Sequence, residues 1–281
     1  MTETIDRVFQ SVARTAADVR GVLGRRRSYE ERHNPSGEKQ LAADVYADER
    51  LEERLLDLAD VGSYASEERE DIVEDSGAYH VACDPLDGSS NLKSNNGMGT
   101  IVAIYDQRPP APGDAVVASG YVLYGPITTM VTAVDGTVTE YLLEDGSRQV
   151  LTENVTIPEN PVVYGFGGRV PDWPAEFAAY VEDIEDDRLK LRYSGAMVGD
   201  VNQVVTYGGI FGYPTLQDRP EGKLRLQFEG HPMAHVISTA GGASSDGTRA
   251  LLSKTPSELH ERSPVYVGNE SLIERLETAL E

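Results

Sequence analysis

The chain has 281 residues, 40% of them hydrophobic, so it is long enough to bury a core as one large or two ordinary domains. Its formal net charge of -22 argues against non-specific nucleic-acid binding, because the phosphate backbone would be repelled. No apolar run reaches the roughly 18 residues of a membrane span, and no signal-peptide pattern opens the chain. A single cysteine fits a reducing interior, so we expect a cytoplasmic protein without membrane or nucleic-acid partners.

The distribution of charge points to a salty environment. Acidic residues are dispersed rather than gathered in a tail, and lysine occurs only at positions 39, 93, 190, 223 and 254. A lysine-poor, acidic surface is typical of proteins adapted to concentrated salt, where screening removes the self-repulsion that destabilises the fold. We expect halophilic adaptation, and the alternative is an ordinary acidic cytosolic protein.

The first part of the chain reads as two helices followed by a sheet. Apolar residues at helical spacing predict helices over residues 4–23 and 39–60. A polar, basic connector from Arg25 separates them and ends in the turn residues Asn34-Pro35-Ser36-Gly37. From Gly99 the alternation has period two, and Asp135-Gly136 predicts a hairpin turn in an antiparallel sheet. Strands are predicted at residues 64–68, 79–83, 100–105, 115–124, 127–134 and 137–143.

The second part of the chain begins at a segment that contains two prolines. Pro158 and Pro161 predict a boundary between an N-terminal domain of residues 1–157 and a C-terminal domain of residues 158–281. Beyond it, strands and helices alternate, which favours a mixed α/β unit. Strands are predicted at 162–166, 224–228 and 265–268, and helices at 175–184, at 195–206, from Pro232, at 255–260 with Pro256 in the first turn, and at 272–280.

Residues 83–91 combine two carboxylates with a run of small residues. Their sequence is Cys-Asp-Pro-Leu-Asp-Gly-Ser-Ser-Asn. An apolar strand end precedes them, and the predicted loop then delivers Asp84 and Asp87. Gly88-Ser89-Ser90 follows, and its backbone amides can approach an anion closely. Hard oxygen ligands beside an amide-lined anion pocket are what magnesium-assisted phosphate chemistry needs. The alternative is an ordinary turn, because turns use the same residue types.

Other acidic residues share the setting of Asp84 and Asp87 at the end of a predicted strand. They are Glu67 with Glu68, and Glu229 just after strand 224–228. Strand ends converge at one edge of a sheet, so we expect these side chains to meet around a metal. Crowded carboxylates repel unless a cation lies between them, and oxygen ligands select Mg2+ or Mn2+ over Zn2+. The alternative for any single acid in so acidic a chain is solvated surface.

Lys223 and Arg225 are the candidate positively charged residues for binding a phosphate group. They are alternate residues of a predicted strand and therefore lie on one face of it. In a chain with so few lysines, this placement favours anion binding. The alternative is a salt bridge on an edge strand.

Several segments along the chain match one family in the expected order. They are residues 34–38 with Asp44, 66–68, 84–91, 192–198, 207–214, and 222–229 with 232–234. On these segments the sequence resembles class I fructose-1,6-bisphosphatases, within the larger group of Mg2+-dependent, lithium-sensitive phosphatases that includes inositol monophosphatase. Inositol-phosphatase relatives usually carry Ile at the Leu86 position and Thr-Thr at Ser89-Ser90, so the bisphosphatase branch is favoured.

The resemblance implies a fold, a reaction and a cofactor. The fold would be layered αβαβα, combining α+β and α/β character, with an antiparallel N-terminal sheet and a mixed C-terminal sheet. The reaction would be hydrolysis of the 1-phosphate of fructose 1,6-bisphosphate, with Glu68 and Asp44 positioning or deprotonating the attacking water. Roughly two or three Mg2+ ions, or Mn2+ in their place, would assist. The implied ligands are Glu67, Asp84, Asp87, Glu229 and the Leu86 carbonyl.

The resemblance also implies how the substrate is held. The 1-phosphate would lie against amides of Gly88, Ser89 and Ser90 and the guanidinium of Arg225. The sugar and its 6-phosphate would contact Lys223, Tyr193, Tyr213 and the Met197 backbone. Arg192 would reach in from a neighbouring subunit of a homotetramer or dimer.

Three departures from the family pattern bear on specificity and regulation. Gly167-Gly168-Arg169-Val170 stands where the family has Asn-Glu-Gly-Tyr, so two usual 6-phosphate contacts are absent. Either Arg169 substitutes, or the enzyme accepts sedoheptulose bisphosphate, inositol phosphates or a broad set of sugar phosphates. Lys93 stands where the family often has Asp. Ala78 replaces a Lys of the AMP pocket of eukaryotic relatives, and the N-terminal helix and loop of that pocket are missing, so we expect no AMP inhibition.

Overall fold

The computed structural model describes residues 2–35, 37 and 39–281 of the chain. Ser36 and Glu38, which belong to the predicted turn and to the first matching segment, lie outside the described residues. Among the helices that the structure describes, none combines the length and the apolar character needed to cross a bilayer.

In the part of the chain that the structure describes, six α-helices form where apolar residues recur at three- and four-residue spacing. In the first helix, Ile5, Val8, Phe9 and Val12 are all buried along one face. The predicted helix at 39–60 is shorter than expected, because residues 39–41 form a strand instead. The helices are α1 (Thr2–Val22), α2 (Ala42–Leu56), α3 (Ala175–Asp186), α4 (Met197–Tyr207), α5 (His231–Thr239) and α6 (Glu270–Leu280).

The N-terminal part builds an eight-stranded sheet. The strands of this part are β1 (Tyr29–His33), β2 (Lys39–Leu41), β3 (Val61–Ser66), β4 (Val73–Glu74), β5 (Tyr79–Asp87), β6 (Met98–Tyr105), β7 (Val116–Tyr124), β8 (Thr128–Val134), β9 (Thr137–Glu144) and β10 (Ser147–Thr152). The sheet has the order β10-β9-β8-β7-β6-β5-β3-β4, while β1 and β2 pair separately. All its pairs are antiparallel except β3 with β5, which run parallel.

The C-terminal part builds a mixed five-stranded sheet in the order β12-β11-β13-β17-β15. Strands β11, β12 and β13 are parallel, and β17 runs antiparallel to both of its neighbours. A separate two-stranded ladder joins β14 to β16. The strands are β11 (Val163–Phe166), β12 (Lys190–Leu191), β13 (Gly209–Tyr213), β14 (Leu224–Arg225), β15 (Ala243–Ser245), β16 (Arg262–Ser263) and β17 (Val265–Gly268).

The elements stack in five layers. Helices α1 and α2 pack their apolar faces on one side of the eight-stranded sheet. Helices α4 and α5 lie between the two sheets and share a core with both. Helices α3 and α6 cover the far face of the five-stranded sheet, around Phe177 and Tyr266. The layered αβαβα fold class is therefore confirmed, and the division at residues 157 and 158 stays a prediction.

Three local predictions near the site need correction. Strand β5 continues through Asp84 to Asp87, where a loop was expected, and its register shifts there because Pro85 cannot donate to the ladder. Residues 224–228 form only a two-residue strand, and Leu226–Gly230 make a wide π-type helical turn that leads into α5. The helix predicted at 255–260 does not form.

The Asp135-Gly136 hairpin is confirmed between β8 and β9, with φ angles of 49° and 74° at its two residues. Several strands were not predicted: the short strands β1, β2, β4, β12, β15 and β16, and the longer strands β10 and β13. Strand β10 is mostly exposed, so it carries no alternation of burial that a sequence pattern reveals.

Candidate active site

A cleft of about 160 Å³ lies between the two sheets, at the ends of β3, β5, β13 and β14 and beside the first turn of α4. It gathers most of the residues predicted to act. Among the described residues, seven acidic residues line it: Asp44, Glu67, Glu68, Asp84, Asp87, Asp200 and Glu229. Four described basic residues line it as well: Lys39, Lys223, Arg225 and Arg262.

Three of the predicted metal ligands converge. One carboxylate oxygen each from Glu67, Asp84 and Glu229 lies within 4.8 Å of the other two. The parallel pairing of β3 with β5 places Ser66 opposite Cys83, so the next residue on each strand, Glu67 and Asp84, emerges at the same edge. The turn before α5 brings Glu229 to them.

The cluster fits a divalent cation. Burial, then the charges of Glu67 and Asp87, raise the pKa of Asp84 well above its usual range. Burial and the neighbouring Glu67 raise the pKa of Glu229 to about 8. Oε2 of Glu67 is buried and has no hydrogen-bond partner among the described residues. Buried oxygen donors that repel one another when charged are the donor set of a hard cation such as Mg2+ or Mn2+.

Arg225 lies inside this cluster. Its guanidinium Nη1 forms an ion pair with Oε1 of Glu67 and lies 4.0 Å from Oε2 of Glu229. Its backbone N–H donates to Oε2 of Glu229 at 2.6 Å. The side chain is 6% exposed, so the pair is shielded from solvent. Arg225 thus supplies positive charge next to the carboxylates.

Asp87 lines the same cleft but does not belong to the group of three. Its Oδ2 accepts a hydrogen bond of 2.7 Å from the backbone N–H of Val198, in the first turn of α4. Burial raises its pKa to about 6, and the amides of Val198 and Met197 oppose that rise. Leu86 also lines the cleft, and its N–H donates to Oδ1 of Asp84 at 3.0 Å.

The first residue after β5, Gly88, has a backbone conformation and a close neighbour that leave no room for a side chain. Gly88 has a φ of 70°, and a Cβ there would lie 2.3 Å from Cβ of Ala196. Ser89 and Ser90 then open a short 3₁₀ turn and line the cleft with Gly88. The close approach to Ala196 brings the predicted anion loop against the segment that leads into α4.

The two acids predicted to activate the attacking water, Glu68 and Asp44, are both held by hydrogen bonds at the cleft. Burial, together with the charges of Asp44 and Glu67, raises the pKa of Glu68 to about 8, while Gln40 Nε2 donates to Glu68 Oε2 at 2.6 Å. Oδ2 of Asp44 accepts the backbone N–H of Leu41 at 2.7 Å, which fixes it at the start of α2. Both side chains line the cleft.

The predicted sugar-binding residues divide into two groups. Tyr193, Met197, Tyr213 and Lys223 line the cleft, with Lys223 Nζ 5.2 Å from the centre of the Tyr213 ring. Arg192 is exposed and does not line it within this chain, and its guanidinium contacts the Leu191 carbonyl. Its predicted role across a subunit interface stays a prediction.

Sequence reasoning missed some lining residues. Lys39 and Arg262 add positive charge, and Gln40 and Asp200 add polar groups. The scarcity of lysine that drew attention to Lys223 applies equally to Lys39. No local signal marks Arg262, because it reaches the cleft only through the pairing of β16 with β14.

The departure at residues 167–170 has a structural counterpart. The Tyr213 ring packs on Gly167, where a Cβ would lie 2.2 Å from a ring carbon. Arg169 is exposed and is not among the described residues that line the cleft.

Comparisons with known proteins match almost the full length of the chain, and the following matches all carry the same family name. The family model "Fructose-1-6-bisphosphatase, N-terminal domain" matches residues 5–153, and "Fructose-1-6-bisphosphatase, C-terminal domain" matches residues 157–281. A "Fructose-1,6-bisphosphatase class 1" of Natronomonas pharaonis is 64% identical over 100% of both chains. One from Haloarcula marismortui is 54% identical over 99% of this chain and 96% of its own. Fructose-1,6-bisphosphatase of Leishmania major in holo form is 27% identical, with a TM-score of 0.92 over 98% of this chain and 94% of its own.

Proposed function

The chain belongs to the fructose-1,6-bisphosphatase family, and from this premise we propose that it hydrolyses the 1-phosphate of fructose 1,6-bisphosphate to fructose 6-phosphate and phosphate. The observation that carries the proposal is the convergence of the Glu67, Asp84 and Glu229 carboxylates in a cleft that also presents Lys223 and Arg225.

Mg2+ is the proposed cofactor, with Mn2+ as a substitute. Glu67, Asp84, Asp87, Glu229 and the Leu86 carbonyl would hold it. When bound, it supplies Lewis-acid charge to the phosphoryl oxygens and to the attacking water. The support is the all-oxygen donor set and the raised pKa values of Asp84 and Glu229.

The chain's own residues then perform three tasks. Amides of Gly88, Ser89 and Ser90 and the Arg225 guanidinium hold the phosphoryl oxygens. Glu68 takes a proton from the water as the water oxygen bonds to phosphorus. The bond from phosphorus to the C1 oxygen breaks, and the C1 oxygen takes up one proton and leaves as the sugar hydroxyl. Asp44, fixed by its bond to the Leu41 amide, orients that water. In the metal-free site the pKa of Glu68 is raised to about 8, so its ionised carboxylate is a stronger proton acceptor than an exposed one.

The sugar end is proposed to lie against Tyr193, Tyr213, Lys223 and the Met197 backbone. Arg192 is proposed to contact the 6-phosphate of the substrate that is bound to a neighbouring subunit, in a homotetramer or a dimer. Its exposure within this chain supports that role. A cytoplasmic location is part of the proposal.

The test is a comparison of substrates. Phosphate release with Mg2+ is measured for fructose 1,6-bisphosphate, sedoheptulose bisphosphate and inositol monophosphate, and kcat/KM is ranked. We expect fructose 1,6-bisphosphate to rank first. The Gly167-Gly168 segment, which offers no side chain to a 6-phosphate, favours a broader sugar-phosphate phosphatase as the second candidate, and equal kcat/KM values would favour it.

A further inference from the structure

A second cleft of about 790 Å³ lies between the end of α1, the segment 92–98 after β5 and the first half of α4. None of the described residues lines both this cleft and the catalytic cleft. Arg20 of α1 and Arg27 of the basic connector line this second cleft, and the proposed function uses neither residue.

The charge of this cleft is opposite to that of the protein. No Asp or Glu is found among the described residues that line it, although about one residue in six of the whole chain is acidic. The catalytic cleft, by contrast, is lined by seven acidic residues of the described chain. In a chain of net charge -22, a large cleft lined by two arginines and by no described acid is a local concentration of positive charge.

Both guanidiniums retain most of their donors. Arg20 Nη2 donates to the Gly125 carbonyl at 2.9 Å, and Arg27 Nη2 donates to the Lys93 carbonyl at 3.0 Å. Neither forms an ion pair with a carboxylate of the described side chains. Since a guanidinium carries about five N–H donors, each can still bind an anion with full charge.

The walls are preformed and partly apolar. The side-chain amides of Asn91 and Asn96 donate to the Ser194 carbonyl at 2.9 and 3.0 Å, which fixes the segment after β5 against the approach to α4. Leu92 and Tyr124 are buried side chains that line the cleft. A pocket with an apolar wall and a few fixed charged donors suits a small ligand with an apolar body and one anionic group.

We propose that this cleft binds a small organic anion, with an apolar or ring-bearing body against Leu92 and Tyr124 and a phosphate-type group on Arg20 and Arg27. The size of the cleft is within the range of small-molecule sites, about 300–1,000 Å³. Arginine suits a phosphate-type group, because its planar donors bind two oxygens at once.

The probe is phenylphosphonate, which carries a ring and a doubly charged head and cannot be hydrolysed by a phosphatase. The Mg2+-loaded enzyme is titrated calorimetrically at the lowest KCl concentration that keeps it folded. Variants R20Q and R27Q are compared with the wild type, and R25Q is the matched control, since Arg25 belongs to the same basic run but does not line the cleft.

We expect the wild type to bind one phenylphosphonate per chain in this cleft. The affinity of this site should fall at least about tenfold in R20Q and in R27Q, and should stay unchanged in R25Q. All three side chains are exposed, so we expect the variants to fold. Methylphosphonate, which lacks the ring, should bind the wild type more weakly.

Two outcomes overturn the proposal. One is phenylphosphonate binding that is absent from the wild type or equal in wild type, R20Q and R27Q. The other is a change in subunit number in R20Q and R27Q without any loss of ligand binding, which would make the cleft an interface between copies of this chain. Neither outcome depends on which phosphate ester the catalytic cleft hydrolyses.

Discussion

The guanidinium of Arg225 forms a buried ion pair with the carboxylate of Glu67, among the acids proposed to hold the metal. The pair offsets part of the repulsion between Glu67 and its neighbours Asp84 and Glu229. A bound cation would supply the same compensation. We therefore propose that Arg225 and the metal share the task of neutralising one cluster, and that a bound cation would free the guanidinium to contact phosphate.

Replacing Arg225 should expose this shared role. Arg225→Met leaves buried carboxylates without their arginine, and breaking a buried pair costs about 3–5 kcal/mol. In EDTA we expect a clear fall in Tm, which saturating Mg2+ largely restores, while kcat/KM stays at least about tenfold low. Arg225→Lys, which keeps the charge, is the control and should retain most of the Tm. A Tm equal to wild type in EDTA would contradict the role assigned to Arg225.

The stability of the metal-free protein should fall as pH rises. Folding raises the pKa of Glu68 and Glu229 to about 8 and of Asp87 to about 6, so these three carboxyl groups bind more protons in the folded state than in the unfolded state between about pH 4.5 and 8. Protons bound preferentially to the folded state stabilise it, and this stabilisation is lost as pH rises through those values.

The measurement is a series of thermal melts from pH 5.5 to 8.5 in EDTA and again in Mg2+, at one KCl concentration. We expect Tm to decrease with pH in EDTA, and the increment from Mg2+ to grow with pH because metal competes with protons. A Tm in EDTA that rises across this range would be inconsistent with the raised pKa values.

Asp87→Asn should abolish turnover without unfolding the protein. The amide oxygen of the substituted side chain would still accept the Val198 N–H, which now bonds to Asp87 at 2.7 Å, so the start of α4 keeps its partner. The lost charge removes a proposed metal ligand. We expect kcat/KM to fall at least about a thousandfold with Tm nearly unchanged. Unchanged phosphate release would point to a contaminant or to another site.

Gly88→Ala should damage the site more than the same change elsewhere. At Gly88 the positive φ of 70° combines with a distance of 2.3 Å between an added Cβ and Cβ of Ala196. Gly136 is the matched control, with a φ of 74° and nothing within 4 Å of an added Cβ, so Gly136→Ala costs only backbone strain of about 1–2 kcal/mol. We expect Gly88→Ala to lower Tm further and to abolish activity. Equal Tm and activity in the two variants would refute the close approach.

Stability should rise with salt. The net charge is -22, and the two relatives from Natronomonas and Haloarcula belong to halophilic archaea. Because the screening length falls from about 10 Å at 0.1 M to about 3 Å at 1 M, added KCl should reduce self-repulsion and raise Tm. Sucrose at equal osmolality is the control, since it screens no charge. If sucrose raised Tm as much as KCl, screening would not be the cause.

Predictions based on local periodicity agreed with the structure where burial follows one face. The span of α1 and the strand at 265–268 are examples. They failed where side chains bond to nearby backbone. The Ser257 backbone N–H donates to Glu261 at 2.6 Å in place of a helix at 255–260, and the Arg225 N–H donates to Glu229 within the turn that replaces most of strand 224–228.

The residue types of the site, its family and its acidic, lysine-poor character were determined by the sequence alone, because composition and short motifs are properties of neighbours along the chain. The sequence also predicted that the acids at the strand ends would meet. Only the tertiary structure decided that Asp87 lies outside the group of Glu67, Asp84 and Glu229, that Arg225 pairs with Glu67, and that Arg20 and Arg27 line a cleft without described acids. Distances between residues so far apart in sequence depend on strand register and on the packing of layers, which no local pattern encodes.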